Sequence, residues 1–318
     1  MTDKQINKWL RRRFSQVGWV LVVYYALMSG LGMMGMLWEW LNQMAWSAAV
    51  GDFSGNVNPD AIMGNAWGYV VAVLTGLVIL HGWKGTGFFS REILRKEAPM
   101  APSVLLSLLV LCMGAQMVNS LWISALEAVM NCFGGSVMEL LESVSGDSDT
   151  LSMFLYASIL APIGEEVLFR GYVLRSLRPF GKRFAIFASA LLFGLFHGNL
   201  LQTPYAFLAG LVLGYVTVEY SIGWAVLIHV FNNLVLADLL TRLTASWSDM
   251  AYGILNFALF GGALAASLVI LIRKRGEIRS YRHREWMDRR VVKCFFLNSG
   301  ILVMTLIALV NMISLLFV

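Results

Sequence analysis

The stretch Leu151–Leu174, LSMFLYASILAPIGEEVLFRGYVL, indicates both the fold and the location of a functional site. It is long and apolar enough for a transmembrane helix. It nevertheless contains the adjacent acids Glu165 and Glu166 and, one helical turn later, Arg170. Each charge near the centre of a bilayer costs at least about 2.5–3.5 kcal/mol. Because packing alone does not require two acids there, the stretch predicts a functional site inside a membrane.

The composition of the whole chain agrees with a membrane protein. The 318 residues are 58% hydrophobic and 14% charged, and the mean hydropathy is +0.69. Soluble domains carry about 25% charged residues, so an integral membrane protein is predicted. The net charge of +5 could suggest nucleic-acid binding. The basic residues lie in short loops beside apolar runs, however, which favours a role in membrane topology and excludes nucleic acid as a partner.

The apolar runs predict an all-α, polytopic helical bundle of about nine transmembrane helices (eight to nine) enclosing an intramembrane catalytic cavity. The first run is too long for a cleaved signal sequence and is interpreted as a retained span. The predicted spans are approximately 14–38, 62–83, 102–131, 151–174, 184–201, 204–220, 222–241, 250–272 and 295–318.

The distribution of basic residues predicts the orientation of these spans. Of the 24 Lys and Arg residues, all except Arg170 and Arg242 fall in segments on one side of the nine-span arrangement. The positive-inside rule places that side in the cytoplasm, together with the N-terminus. The cytoplasmic loop 273–293 is expected to contact anionic lipid headgroups. The chain is therefore predicted to be a multi-pass protein of the bacterial plasma membrane.

The three charges of EEVLFR are predicted to have different roles. Glu166 and Arg170 share a helix face at i,i+4 spacing and are natural ion-pair partners. Glu165 points elsewhere and lacks that partner, so it is expected to act as a proton acceptor near neutral pH. Pro162 and Gly164 should kink the helix just before the acids. The alternative is that both acids only pair with basic residues across the bundle.

Two further polar groups interrupt later apolar runs. His197 follows Phe193 at i,i+4 spacing, and a lone membrane histidine can be merely a hydrogen-bonded packing residue. His229 and Asn233 also share a face, with Asn232 turned away. Two N–H donors that converge on one point suit a tetrahedral oxyanion, although interhelical hydrogen bonding is an alternative. From their positions along the helices, Glu165, His197 and His229 are expected to lie at similar depths.

In this order, the three groups resemble the motifs EExxxR, FxxxH and HxxxN of the CAAX protease and bacteriocin-processing (CPBP, or Abi) family of intramembrane endopeptidases. Here the motifs are Glu165–Arg170, Phe193–His197 and His229–Asn233. The resemblance covers roughly residues 150–240. It implies peptide-bond hydrolysis, with a membrane-associated, lipidated or leader peptide as substrate.

The resemblance also implies roles for individual residues. Glu165 would act as general base on a water molecule together with His197, while His229 and Asn233 would stabilise the oxyanion. Glu166, Arg170 and Phe193 would support the site. A zinc ion held by Glu165, His197 and His229 is the alternative, but Glu165 cannot easily be both ligand and base. A metal-free mechanism without a cofactor is therefore favoured.

The sequence divides into three predicted parts: N-terminal spans over 1–149, a catalytic core over 150–240, and C-terminal helices with the basic loop over 241–318. Two other functions stay open. The chain could be a non-catalytic peptide-binding or bacteriocin-immunity scaffold of the same fold, or a proton-coupled transporter that uses its Glu and His residues as a relay. An inverted repeat, or paired broken helices in the two halves, would favour the transporter. The sequence shows neither feature.

Overall fold

Long apolar helices dominate the protein, as the sequence predicts. The structure is a computed structural model that describes residues 2–51, 55–93, 95, 97–137, 150–284 and 287–314, and these residues contain no β-strand. The main helices are, in chain order, α1 (Asp3–Ala49), α2 (Pro59–Lys84), α3 (Pro102–Asn131), α4 (Leu151–Phe180), α5 (Lys182–Phe196), α6 (Thr203–Glu219), α7 (Ile222–Thr244), α8 (Asp249–Arg273), α9 (Arg275–Arg284), α10 (Arg289–Phe296) and α11 (Ser299–Ser314).

The fold class is confirmed as a polytopic helical membrane protein, but the count of about nine spans is not. Among the described residues, six helices are long and apolar enough to cross a membrane, namely α1 to α4, α7 and α8. The pair α10 and α11, bent by 60°, would make a seventh if it is one span.

The difference from nine lies in α5 and α6, where two spans were predicted. These helices have 15 and 17 residues, or about 22 and 26 Å of helix, which is shorter than a hydrocarbon core of about 30 Å. The helix in the predicted span 184–201 is shorter than the apolar run. It ends at Phe196, and the next helix begins only at Thr203. Leaving out two consecutive spans does not change the predicted side of any later segment.

The core of the bundle lies around the second half of α4. Every residue from Val167 to Leu174 is buried, and α5, α6 and α7 all contact this segment. A helix that is apolar on all sides is normally surrounded by other helices. The core therefore fixes α4 firmly just after the two acidic residues.

Small residues allow α1 to approach its neighbours closely. A side chain on Gly18 would overlap the backbone of Gly300 at the crossing of α1 and α11. Such contacts between small residues are typical of helix pairs in membranes, where close packing supplies much of the association energy. The N-terminal and C-terminal helices are thus joined beside the core.

The expected irregularity of α4 occurs at Pro162. A π-helical turn over Tyr156–Leu160 precedes it, α-helical turns cover Ala161–Glu166, and π-helical turns follow over Val167–Leu174. Proline has no backbone N–H to donate, and it lies in the first turn of the α-helical part. The helix therefore changes its pitch on both sides of the two acids.

Gly164 is expected to be essential for the position of Glu165. A Cβ atom on Gly164 would lie 2.7 Å from Cγ1 of Val73 on α2. Gly164→Ala should therefore overpack this contact and lower the free energy of unfolding by about 1–3 kcal/mol. Gly253→Ala on α8 is the matched control, because nothing lies within 4 Å of its added Cβ. The melting temperatures of the two purified variants are compared by thermal unfolding. Equal values would refute the packing argument.

Candidate active site

The four residues predicted to be catalytic line one cavity of about 1330 Å³. Glu165 comes from α4, His197 follows the end of α5, and His229 and Asn233 come from α7. They belong to three separate helical segments, and the packing of these helices brings them together. The expectation that Glu165, His197 and His229 lie at similar depths in the membrane stays a prediction.

The predicted ion pair between Glu166 and Arg170 forms inside the protein. Oε1 of Glu166 lies 3.2 Å from Nη1 of Arg170, and both side chains are fully buried. Nη2 of Arg170 donates a hydrogen bond to the carbonyl of Gly210 at 3.4 Å. The guanidinium also lies over the ring of Phe193, 4.3 Å from its centroid, where the negative ring face attracts a cation.

His229 lies between this ion pair and Glu165. The motif spacing does not predict this arrangement. Its Nδ1 lies 2.9 Å from Oε1 of Glu166, and its Nε2 lies 3.7 Å from Oε2 of Glu165. An ionised carboxylate only accepts hydrogen bonds, so Nδ1 carries a proton and donates it to Glu166. Nε2 therefore points towards Glu165, at a distance too long for a direct hydrogen bond.

His197 is oriented by its own helix. Its Nδ1 lies 2.9 Å from the carbonyl oxygen of Phe193. A carbonyl can only accept, so Nδ1 carries the proton, and in the neutral ring Nε2 is left as a proton acceptor. This is the tautomer that a base assisting Glu165 would need.

Phe193 contacts both imidazoles edge-on. Its ring centroid is 4.9 Å from that of His197 and 5.8 Å from that of His229, with interplanar angles of 84° in each case. Edge-to-face contacts restrict how each ring can rotate. The predicted supporting position of Phe193 thus has a structural basis.

Asn233 lies in the cavity wall but is already hydrogen-bonded. Its Nδ2 donates to the carbonyl of Ala157 at 3.0 Å, and its Oδ1 accepts from Nδ2 of Asn232 at 3.1 Å. The expectation that Asn232 is turned away is wrong, because this side chain is buried and lines the cavity. The reason is the π-helical segment Phe231–Leu239, whose wider turns rotate successive residues less than an α-helix does.

The motifs missed the part of the cavity wall that comes from α1, α2 and α3. Tyr25, Tyr69, Gln116 and Asn119 all line the same space. Nε2 of Gln116 also lies 3.5 Å from Oδ1 of Asn232 and donates to it. Side-chain amides inside an apolar run usually have a partner across the bundle, so Gln116 could have been identified from the sequence. The tyrosines gave no such signal.

The geometry does not favour a metal site. Among the described residues, no group of three or more His, Cys, Asp and Glu side chains is placed to hold a metal ion. The zinc alternative with Glu165, His197 and His229 as ligands therefore finds no support in the donor arrangement. The metal-free mechanism stays a prediction.

A comparison with protein families points to the same part of the chain. Residues 147–235 match the family model of the Rce1-like type II CAAX prenyl endopeptidases. The predicted resemblance to the CAAX-type intramembrane endopeptidases is confirmed. The matched segment includes all three motifs and lies almost entirely within the predicted core. Searches of curated proteins and of solved structures gave no significant match.

The match to the CAAX-type endopeptidases indicates a peptidase, and hence a hydrolase. The matched residues include Glu165, His197, His229 and Asn233, which line the cavity. The helices α1 to α3 contribute to the cavity wall but lie outside the matched residues.

Proposed function

We propose that the protein is an intramembrane endopeptidase that hydrolyses a peptide bond of a membrane-associated, lipidated or leader peptide. One observation carries this proposal: the residues that match the CAAX-type endopeptidases also place a carboxylate and two imidazoles around one cavity. A cavity of about 1330 Å³ is large enough for several residues of an extended peptide.

The hydrolytic step begins with a water molecule between Glu165 and His197. As the water oxygen bonds to the scissile carbonyl carbon, its proton passes to the Glu165 carboxylate. Nε2 of His197 orients the water by accepting a hydrogen bond from its second O–H group. The tetrahedral intermediate then collapses, the C–N bond breaks, and Glu165 returns the proton to the leaving amine.

His229 and Asn233 are proposed to stabilise the oxyanion of the intermediate. His229 donates through Nε2 when both ring nitrogens carry protons. Asn233 uses one amide hydrogen for Ala157 and keeps a second for the substrate. Catalytic hydrogen bonds often tighten only when a substrate binds.

The proposed setting is the plasma membrane of a bacterium, with the N-terminus in the cytoplasm. The supporting observation is the concentration of basic residues in the predicted inner segments. Exposed residues of α9 and α10, including Arg279 and Arg289, would contact anionic headgroups. Proposed partners are thus membrane lipids and a peptide or protein substrate, and no nucleic acid.

The experiment that tests the function compares peptides in membranes that contain the wild-type protein or Glu165→Gln. Mass spectrometry of membrane-associated peptides should find fragments only with the wild-type protein. The variant keeps the size of the side chain, so binding without cleavage would be preserved. Identical peptide sets from two equally expressed proteins would reject the endopeptidase and leave a non-catalytic binding role.

Removing metal ions should leave peptide hydrolysis unchanged. The reason is that Glu165 and His197 are proposed to activate water directly, and no described ligand set is placed to hold a metal ion. Hydrolysis rates before and after exhaustive treatment with a chelator, followed by addition of Zn²⁺, provide the measurement. Loss of activity that Zn²⁺ restores would contradict the mechanism.

A further inference from the structure

The bundle has two chemically different ends. At the basic end, Nζ of Lys182 and the hydroxyl of Tyr281 each lie 3.1 Å from Oε1 of Glu219. Nearby, Nη1 of Arg178 lies 2.7 Å from Oε1 of Glu97, and this hydrogen bond holds the pKa of Glu97 below its usual range.

The opposite end, here called the distal end, carries the other turns between helices. The backbone N–H of Ala66 donates to Oγ of Ser152 at 3.1 Å, which joins α2 to the start of α4. Nε1 of Trp122 donates to the carbonyl of Leu200 at 2.9 Å, which joins α3 to the turn after α5. An acidic side chain contributes at this end as well, because Oε2 of Glu39 on α1 accepts a hydrogen bond from Nδ2 of Asn65 at 3.0 Å.

The cavity lies towards the distal end of each core helix. In α4, which runs from the distal end to the basic end, the lining residues extend from Met153 to Glu165. In α7, which runs the opposite way, they begin at Ile228 and continue to Arg242 near its distal end. The short helices α5 and α6 show the same pattern, with lining residues only from Phe193 onwards in α5 and only up to Leu213 in α6.

Towards the basic end, the described residues close the cavity. Glu166 and Arg170 are fully buried, and the buried segment Val167–Leu174 fills the space beyond them. Glu165 therefore lies at the floor of the cavity, and the exposed lining residues Gln202 and Thr241 place its mouth at the distal end. A substrate that arrived from the basic end would have to displace the core of the bundle.

We propose that the substrate enters from the membrane face opposite the basic loops, which the positive-inside rule makes the extracytoplasmic face. The substrate is then a peptide segment exposed on the outer side of the membrane, such as part of an exported or secreted chain. This proposal rests on the proposed peptidase function for the cleavage itself. The direction of access rests only on the position of the cavity.

The mouth and wall suit an extended apolar peptide. Tyr69 and Tyr156 stack with centroids 5.3 Å apart, and Met28, Met33 and Met153 line the same wall. Flexible methionines adapt to different apolar side chains. Nε of Arg242 lies 3.0 Å from both carboxylate oxygens of Asp238, so the polar part of the mouth contains a paired charge of each sign.

The test uses single cysteines and a membrane-impermeant maleimide. Cys112, Cys132 and Cys294 are first replaced by alanine in the full chain. Thr241→Cys and Gln202→Cys then probe the cavity mouth, and Arg279→Cys on α9 is the matched control at the basic end. Gel filtration in detergent confirms that each variant is folded.

In spheroplasts, the maleimide should label both mouth cysteines as fully as it does after permeabilisation, and it should label Arg279→Cys only after permeabilisation. In inverted vesicles, the control cysteine alone should react. Reaction of Arg279→Cys in spheroplasts, or failure of both mouth cysteines to react there, would overturn the proposal.

A parallel measurement separates access from function. The peptide identified by mass spectrometry is added to spheroplasts and to inverted vesicles, with Glu165→Gln as the blank. Cleavage is expected only in spheroplasts. Cleavage only in inverted vesicles would overturn the direction of access while the peptidase function survives. No cleavage in either preparation, with labelling as expected, would reject the peptidase function and leave the direction of access supported.

Discussion

Glu165→Gln is expected to lower the rate of peptide hydrolysis by about 10²–10⁴-fold, the usual contribution of a general base. Gln fills the same volume and still forms hydrogen bonds, but it cannot take a proton from water. Binding of the peptide should change little, so the loss should be in kcat rather than in KM. Hydrolysis by the purified variant, measured at saturating peptide, tests this expectation.

The matched control for this variant is Glu277→Gln. Glu277 lies on α9, is exposed, and pairs with Lys274 at 2.7 Å. Its substitution should leave hydrolysis unchanged. If Glu165→Gln were folded and as active as this control, Glu165 could not be the base.

Glu166→Gln is expected to act on stability. Gln can still accept the hydrogen bond from Nδ1 of His229, but it removes the negative charge beside the buried guanidinium of Arg170. Removing one partner of a buried ion pair costs about 3–5 kcal/mol, because the other charge is left uncompensated. Samples are heated and then analysed by gel filtration in detergent. The fraction of protein that stays unaggregated measures the loss of stability.

A double variant isolates the cause. Glu166→Gln combined with Arg170→Met should be more stable than Glu166→Gln alone, because no buried charge is left without a partner. Lys274→Met removes one partner of the exposed pair with Glu277 and should have no measurable effect, as expected for a surface ion pair. Equal stability of Glu166→Gln and the wild-type protein would disprove the ion-pair assignment.

Local spacing allowed much of the site to be predicted from the sequence. Glu166 and Arg170 pair as expected because i,i+4 residues share a helix face whatever surrounds them. The cost of polar groups in an apolar span identified Glu165, His197 and His229 as candidates. The same argument identifies the membrane class of the fold.

Features that depend on packing between distant helices could not be predicted in this way. The hydrogen bond from His229 to Glu166 joins α7 to α4, and spacing within one helix contains no information about it. Asn232 was misplaced because a π-helical segment changes the angle between neighbouring residues. The count of nine spans is not confirmed, because the helices formed by the apolar runs at α5 and α6 are short, with 15 and 17 residues.

An experimental structure of the purified protein that resolves ordered water molecules tests the central claim most directly. We predict one water molecule within about 3.2 Å of a Glu165 carboxylate oxygen and of Nε2 of His197, in a cavity open at the distal end. A metal ion in that position, or a Glu165 side chain turned away from both imidazoles, would contradict the account.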